Sequence, residues 1–138
     1  MPKSRKQWGA SPKKPVPPKP SGALKQEVET KAGALIESVL KPRYVALPPD
    51  EPQFNYLVDL FTKWHGRYFY FCSRYAVPGP NAIQPFFEDR FARLEYAGSD
   101  RFNLSFMRHT GQWIEIYSQL TLDECLGAVQ DDPWFQLA

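Results

Sequence analysis

Between Arg93 and Tyr117 the side chains able to do recognition chemistry recur at every second position: Arg93 and Glu95, then Asn103, Ser105 and Met107, then Trp113, Glu115 and Tyr117. Residues two apart on a strand point to the same face. The spacing therefore predicts one side of a sheet carrying cations, carboxylates, an amide and two large rings. Arg108 and His109 stand at the tip of the same stretch. Arg groups and aromatic rings stack on bases and contact phosphates, and Trp, Tyr and Arg equally anchor protein interfaces. The plainer alternative is a solvated face whose opposite charges pair across strands. The candidate binding residues are Arg93, Glu95, Asn103, Arg108, His109, Trp113, Glu115 and Tyr117, with Lys63, Tyr68, Tyr70 and Arg74 of an earlier hairpin extending the surface.

Other chemistry is less well supported by the residues. His109 with Glu95 or Glu115 would make an acid–base pair if they converged, but hairpin tips project outward. His65 and His109 are isolated, as are Cys72 and Cys125, so no zinc spacing exists. The glycines are scattered and form no phosphate-binding loop. Glu88-Asp89 and Asp131-Asp132 read as surface or helix-end charges rather than magnesium ligands. No catalytic residue, metal or cofactor is expected, and the two cysteines read as buried free thiols of a reducing cytosol.

The elements that position these residues follow from periodicity and turn chemistry. Residues 101–118 read as a β-hairpin with a three-residue loop, His109-Thr110-Gly111. Phe106 then faces Ile114 and Leu104 faces Ile116 on one side, while Met107 faces Trp113, Ser105 faces Glu115 and Asn103 faces Tyr117 on the other. Gly111 falls where this loop needs a left-handed residue. Residues 54–76 read as a second hairpin turning at His65-Gly66, with Leu60 facing Phe71, Val58 facing Ser73 and Thr62 facing Phe69. Its opposite face would carry Leu57, Asp59, Phe61 and Lys63 against Tyr68, Tyr70, Cys72 and Arg74. Helical spacing competes over 54–64, but the aromatic and β-branched content favours strand. A strand over 91–96 follows a long connection with one helical turn at 85–89, and Gly98-Ser99-Asp100 turns it into 101–118. Pairing Leu94 with Leu104 puts Ala92, Leu94, Tyr96, Phe102, Leu104, Phe106, Ile114 and Ile116 on one core face.

Two amphipathic helices are available to cover that face. Ser21 starts the first, whose stripe is Leu24, Val28, Ala32, Leu35, Ile36, Val39 and Leu40, and Pro42 ends it. The second opens with the capping box Thr121/Glu124, buries Leu122, Cys125, Leu126 and Val129, and stops before Pro133. The fold class is therefore α+β: an N-terminal helix, a five-stranded antiparallel sheet built as a hairpin plus a three-stranded meander, and a C-terminal helix, with the helices largely on one face.

Residues 21–138 form this single domain; residues 1–20 form a disordered basic arm rich in proline. Residues 1–25 carry seven Lys/Arg and no acid, so the net charge of +2 hides a remainder with ten Lys/Arg against fifteen Asp/Glu. Lys3, Arg5, Lys6, Lys13, Lys14 and Lys19 would serve as an electrostatic arm, with Trp8 able to stack on a base. No apolar run approaches the ~20 residues of a membrane span, and the basic N-terminus has no apolar signal core.

Residues from about 35 to 135 resemble a small bacterial family known as a domain of unknown function. The pieces that carry the resemblance are FNYLVDLFTKW, YFYFC, PGPNAI, FARLEY, RFNLSFMRHTGQW and LTLDECLGAVQDDPWF, of which MRHTGQW is the most distinctive. The resemblance implies a compact bacterial cytoplasmic domain and assigns no activity, cofactor or catalytic residue. The leading expectation is a non-enzymatic module, a protein–protein adaptor acting through the polar and aromatic sheet face. Nucleic-acid binding by that face plus the arm is the alternative, and a small enzyme using His109 with a carboxylate the lesser one. The expected partner is a protein or a nucleic acid, without a membrane.

Overall fold

The computed structural model of the chain describes residues 18–48, 50 and 54–137. The Ser21 hydroxyl accepts the Leu24 N–H at 3.1 Å and caps helix α1 (Gly22–Leu35). The expected stripe faces the core throughout, with Val28, Ala32, Ile36 and Leu40 buried and Leu24 and Val39 packed against them. Pro42 does not end the helix. A π turn (Ile36–Leu40) leads into a last α-helical turn, α2 (Lys41–Tyr44), with Pro42 near its start. The wider π pattern sends the Lys41 N–H back to the Ile36 carbonyl. The wider turn just before Pro42 gives room for its ring, which lacks an N–H and would otherwise press on the carbonyl one turn back.

Five strands, β1 (Tyr56–His65), β2 (Tyr68–Ala76), β3 (Phe86–Gly98), β4 (Arg101–Met107) and β5 (Trp113–Leu120), form one antiparallel sheet in sequence order. Helix α3 (Leu122–Asp131) and a 3-10 turn (Pro133–Phe135) complete the α+β fold. Thr121 and Glu124 make the reciprocal capping box. Asp131 pairs with Arg43 at 3.6 Å, and the Asp132 carboxylate accepts the Trp134 N–H, so both aspartates act at the helix end. One side of the sheet meets the helices over a core that includes Leu60, Phe69, Phe71, Leu94, Phe102, Leu104, Cys125, Val129 and Phe135. Each fully buried Phe or Leu there contributes roughly 1.5–3 kcal/mol.

The three-stranded part pairs Leu94 with Leu104, Ala92 with Phe106 and Tyr96 with Phe102, the core face read from the alternation. Ser99 and Asp100 turn β3 into β4 with φ of 53° and 57°, the two left-handed residues such a hairpin turn requires. At the next turn the Arg108 N–H reaches the Gln112 carbonyl at 2.9 Å and closes a three-residue loop, with Gly111 at φ 86°. Met107–Trp113, Phe106–Ile114 and Ser105–Glu115 pair as expected. Further along, the register departs from expectation: Leu104 opposes Tyr117 rather than Ile116, and Phe102 opposes Leu120. Ile116 is the extra residue of a bulge, which turns its neighbour onto the same face. Asn103 does not oppose Tyr117; its side-chain oxygen instead accepts the N–H of Gln119, which sits at φ 60°.

Residues 54–64 are strand from Tyr56 onward, but the first hairpin turns at Gly66-Arg67, pairing His65 with Tyr68. Gly66 alone has positive φ, 62°, as suits the turn type that places glycine first. The partner of Leu60 is consequently Ser73 and that of Thr62 is Phe71. A slide of two residues keeps every side chain on its own face, so the core is unaffected. Leu57 is the exception: a bulge at Val58 brings it into the core rather than the opposite face. Residues 85–89 hold no helical turn. Residues 86–89 extend β3 and pair with β2, long-range pairing overriding the local signal.

Of the basic arm, Lys3, Arg5, Lys6, Lys13 and Lys14 lie outside the described residues. Lys19 is exposed, Pro20 is buried, and the Pro18 ring lies against Gly98 of the β3–β4 turn.

Candidate functional site

The sheet face away from the helices is roofed by its own side chains. Tyr70, Arg93, Ser105 and Glu115 stand in one row across β2 to β5, and Tyr68, Glu95 and Asn103 in the next. Flat strands would hold β2 and β5 about 14 Å apart, yet the Tyr70 and Trp113 rings meet with centroids 5.8 Å apart. They lean over Ser105, whose small side chain is only 2% exposed beneath them. Arg93 fills the space beside them. Its guanidinium carbon lies 4.7 Å from the Tyr68 ring and 5.0 Å from the Trp113 ring, stacked on both. Arg90 covers Tyr70 at 4.3 Å, leaving that ring 6% exposed.

The acids of this face are differently engaged. Glu95 receives Arg67 Nη2 at 3.1 Å and Asn103 Nδ2 at 3.3 Å. Glu115 accepts the Ser118 hydroxyl at 2.8 Å. Among the described residues, neither Arg90 nor Arg93 makes an ion pair, and the Nε atoms of Arg67 and Arg93 are buried without a hydrogen-bond partner. Cys72 lies on the same face. Burial pushes its thiol above the ordinary value, against the pull of Lys63 and Arg90 and with a further push from Glu88.

Of the residues singled out by spacing, Arg93, Glu95, Asn103, Trp113 and Glu115 share this face. Tyr117 does not. The Ile116 bulge turns Tyr117 toward the helices, where its hydroxyl donates to the Asp132 carboxylate. That bond, then burial, holds the Tyr117 hydroxyl protonated above its ordinary value. Arg108 and His109 also leave the group. They line a cleft of about 590 Å³ where the hairpin tip, β2, β3 and the segment after α3 meet. Ser73 and Tyr75, the run Glu88 to Phe91 with Arg90 in it, and Trp134 and Phe135 complete its main walls. His109 therefore shares a cavity with Glu88 and Asp89 instead of Glu95 or Glu115. Trp134, 54% exposed, lies on Phe106 with centroids 4.7 Å apart.

Arg67, Arg90 and Trp134 were not legible as site residues. Strict alternation back from Ala92 puts Arg90 on the core side. The bulge at Phe91 reverses it, pairing Arg90 with Cys72 and packing Phe91 toward Phe71 at 6.1 Å. Two adjacent apolar residues, Phe91-Ala92, were the available hint. Arg67 reads as a strand residue until the turn is placed at Gly66, and Trp134 reads as chain beyond the last helix.

Among the described residues no helix is long and apolar enough to cross a membrane. No curated protein and no solved structure matches the chain. A family model does, over residues 20–136, a span that takes in both helices and all five strands. By that match the chain belongs to the family described as a domain of unknown function, DUF3024.

Proposed function

We propose that this domain is a non-enzymatic binding module of the bacterial cytoplasm, an adaptor that holds a protein partner on its Arg- and aromatic-rich sheet face. The supporting observation is Arg93: stacked between Tyr68 and Trp113, without an ion pair among the described residues, and with its Nε buried and unpartnered. The orphaned Nε costs about 1–3 kcal/mol and is sealed beneath the rings, so a partner's carboxylate would engage the outer nitrogens of the guanidinium, which are not among the buried atoms. Trp, Tyr and Arg are the side chains that dominate interface energetics. A protein partner is favoured over nucleic acid because guanidinium groups already cover the ring faces on which bases would stack. Glu95 and Glu115 also interrupt the positive charge that a phosphate backbone would follow. The cytoplasmic setting is supported by two free, buried thiols, Cys72 and Cys125.

The test places a photo-crosslinking residue at Glu115 on the sheet face, or at Glu29 on α1 as control, in the bacterium of origin. Discrete protein adducts at 115 that are absent at 29 and lost on Arg93→Ala are expected. Adducts to RNA or DNA at 115, or the same adducts from both positions, would refute the adaptor reading.

A further inference from the structure

The geometry points to a second site, which shares Arg90 with the sheet face: the cleft beneath the β4–β5 tip binds a small zwitterion, a molecule of amino-acid or short-peptide class. Its volume, about 590 Å³, lies within the range of small-ligand sites. Its walls come from four separate stretches of chain, so it is a product of the tertiary fold. Arg90 and Arg108 line it together with Glu88 and Asp89, yet among the described residues none of these four is within ion-pair distance of an opposite charge. Opposite charges that share a cavity without meeting leave both a cation and carboxylates available. A ligand carrying a carboxylate and an ammonium group at separate points satisfies both. The apolar body of such a ligand would rest on the half-exposed Trp134 and on Tyr75, while the His109 imidazole offers one further polar contact.

Simpler ligands fit less well. A phosphate-bearing anion would pair with Arg90 and Arg108 but also face the acids Glu88 and Asp89, leaving those unpaired. A metal cation would face Arg90 and Arg108, and among the described residues no three His, Cys, Asp or Glu side chains gather to hold one. The zwitterion alone uses both signs of charge and the ring wall.

The experiment follows the Gly111 amide and the Trp134 indole of the full chain by NMR while an equimolar library of unmodified dipeptides is added, then the same library N-acetylated or C-amidated. Saturable shifts with the unmodified library are expected. Each blocked library should bind about tenfold or more weakly, the loss that goes with one charge-assisted hydrogen bond. Arg108→Ala should remove the penalty for amidation, and Glu88→Gln with Asp89→Asn the penalty for acetylation; all three positions are exposed, so the fold should survive. No saturable shift with the unmodified library at millimolar concentration, or equal binding of the blocked libraries, overturns the proposal. Neither outcome bears on the sheet-face adaptor.

Discussion

Phe91 offers the sharpest test of how the sheet is built. As the extra residue of the β3 bulge, it lets Phe91 and Ala92 both meet the core while Arg90 reaches Tyr70 on the opposite face. Two perturbations separate this arrangement from plain alternation: Phe91→Ala, and deletion of Phe91. A fully buried Phe loses about 3–5 kcal/mol on truncation to Ala. Phe91 is partly buried, with its ring against Phe71, so about half of that, roughly 1.5–2.5 kcal/mol, is expected. In urea this lowers the unfolding midpoint by about 1 M with little change in slope. Deletion should cost no more than the alanine substitution, because the bulged residue is outside the ladder: Cys72–Arg90 and Phe71–Ala92 already pair on either side of it. Had the strand alternated without a bulge, deletion would turn residues 86–90 over to the wrong faces. An unfolded deletion variant, or an alanine variant losing less than about 0.5 kcal/mol, would refute the bulge and with it the route by which Arg90 reaches the sheet face.

Other predictions follow from the same packing. Tyr117→Phe should lower the urea midpoint, and should do nothing further in an Asp132→Ala background, where the accepting carboxylate is gone. Since the folded protein holds the Tyr117 hydroxyl above its ordinary value, this contribution is complete below about pH 10 and is lost as pH rises through the folded value; a difference between wild type and variant that grows with alkali would contradict it. Burial pushes the Cys125 thiol up to about 12, so iodoacetamide should reach it only at the rate of unfolding, and stability should fall as pH rises from about 8.5 toward that value. Rapid alkylation of the native protein at Cys125 would count against the packing of α3. Thr121→Ala should cost about 1 kcal/mol through loss of the cap. The Thr121 backbone N–H and hydroxyl hold the Glu124 carboxyl below its usual range, so the contribution of Glu124 is present above about pH 4.3 and is lost as pH falls through the folded value. A urea series from neutral pH into acid reads both effects.

What residue order determined by itself was everything with a short-range or strictly periodic cause. The α1 stripe from Leu24 to Leu40, the Thr121–Glu124 capping box, the Leu94–Leu104 pairing and the closing of the last hairpin at Gly111 each need only a few neighbouring residues and one period. The helix past Pro42, strand pairing at residues 86–89, and the bulges at Val58, Phe91 and Ile116 needed the assembled sheet. A bulge appears where a twisted sheet must fit its helices, and no local window contains that fit. A slide of two residues in the β1–β2 register preserves every face, so hydrophobic patterning could not choose between turns at His65 and at Gly66. The site divided in the same way. Alternation was enough to place Arg93, Glu95, Asn103, Trp113 and Glu115 together. Only tertiary packing moved Tyr117 to the helices, brought Arg90 over Tyr70, and gathered Arg108 and His109 with Asp89 and Trp134 around one cleft, because those contacts join strands and segments whose separation in the chain carries no periodic signal.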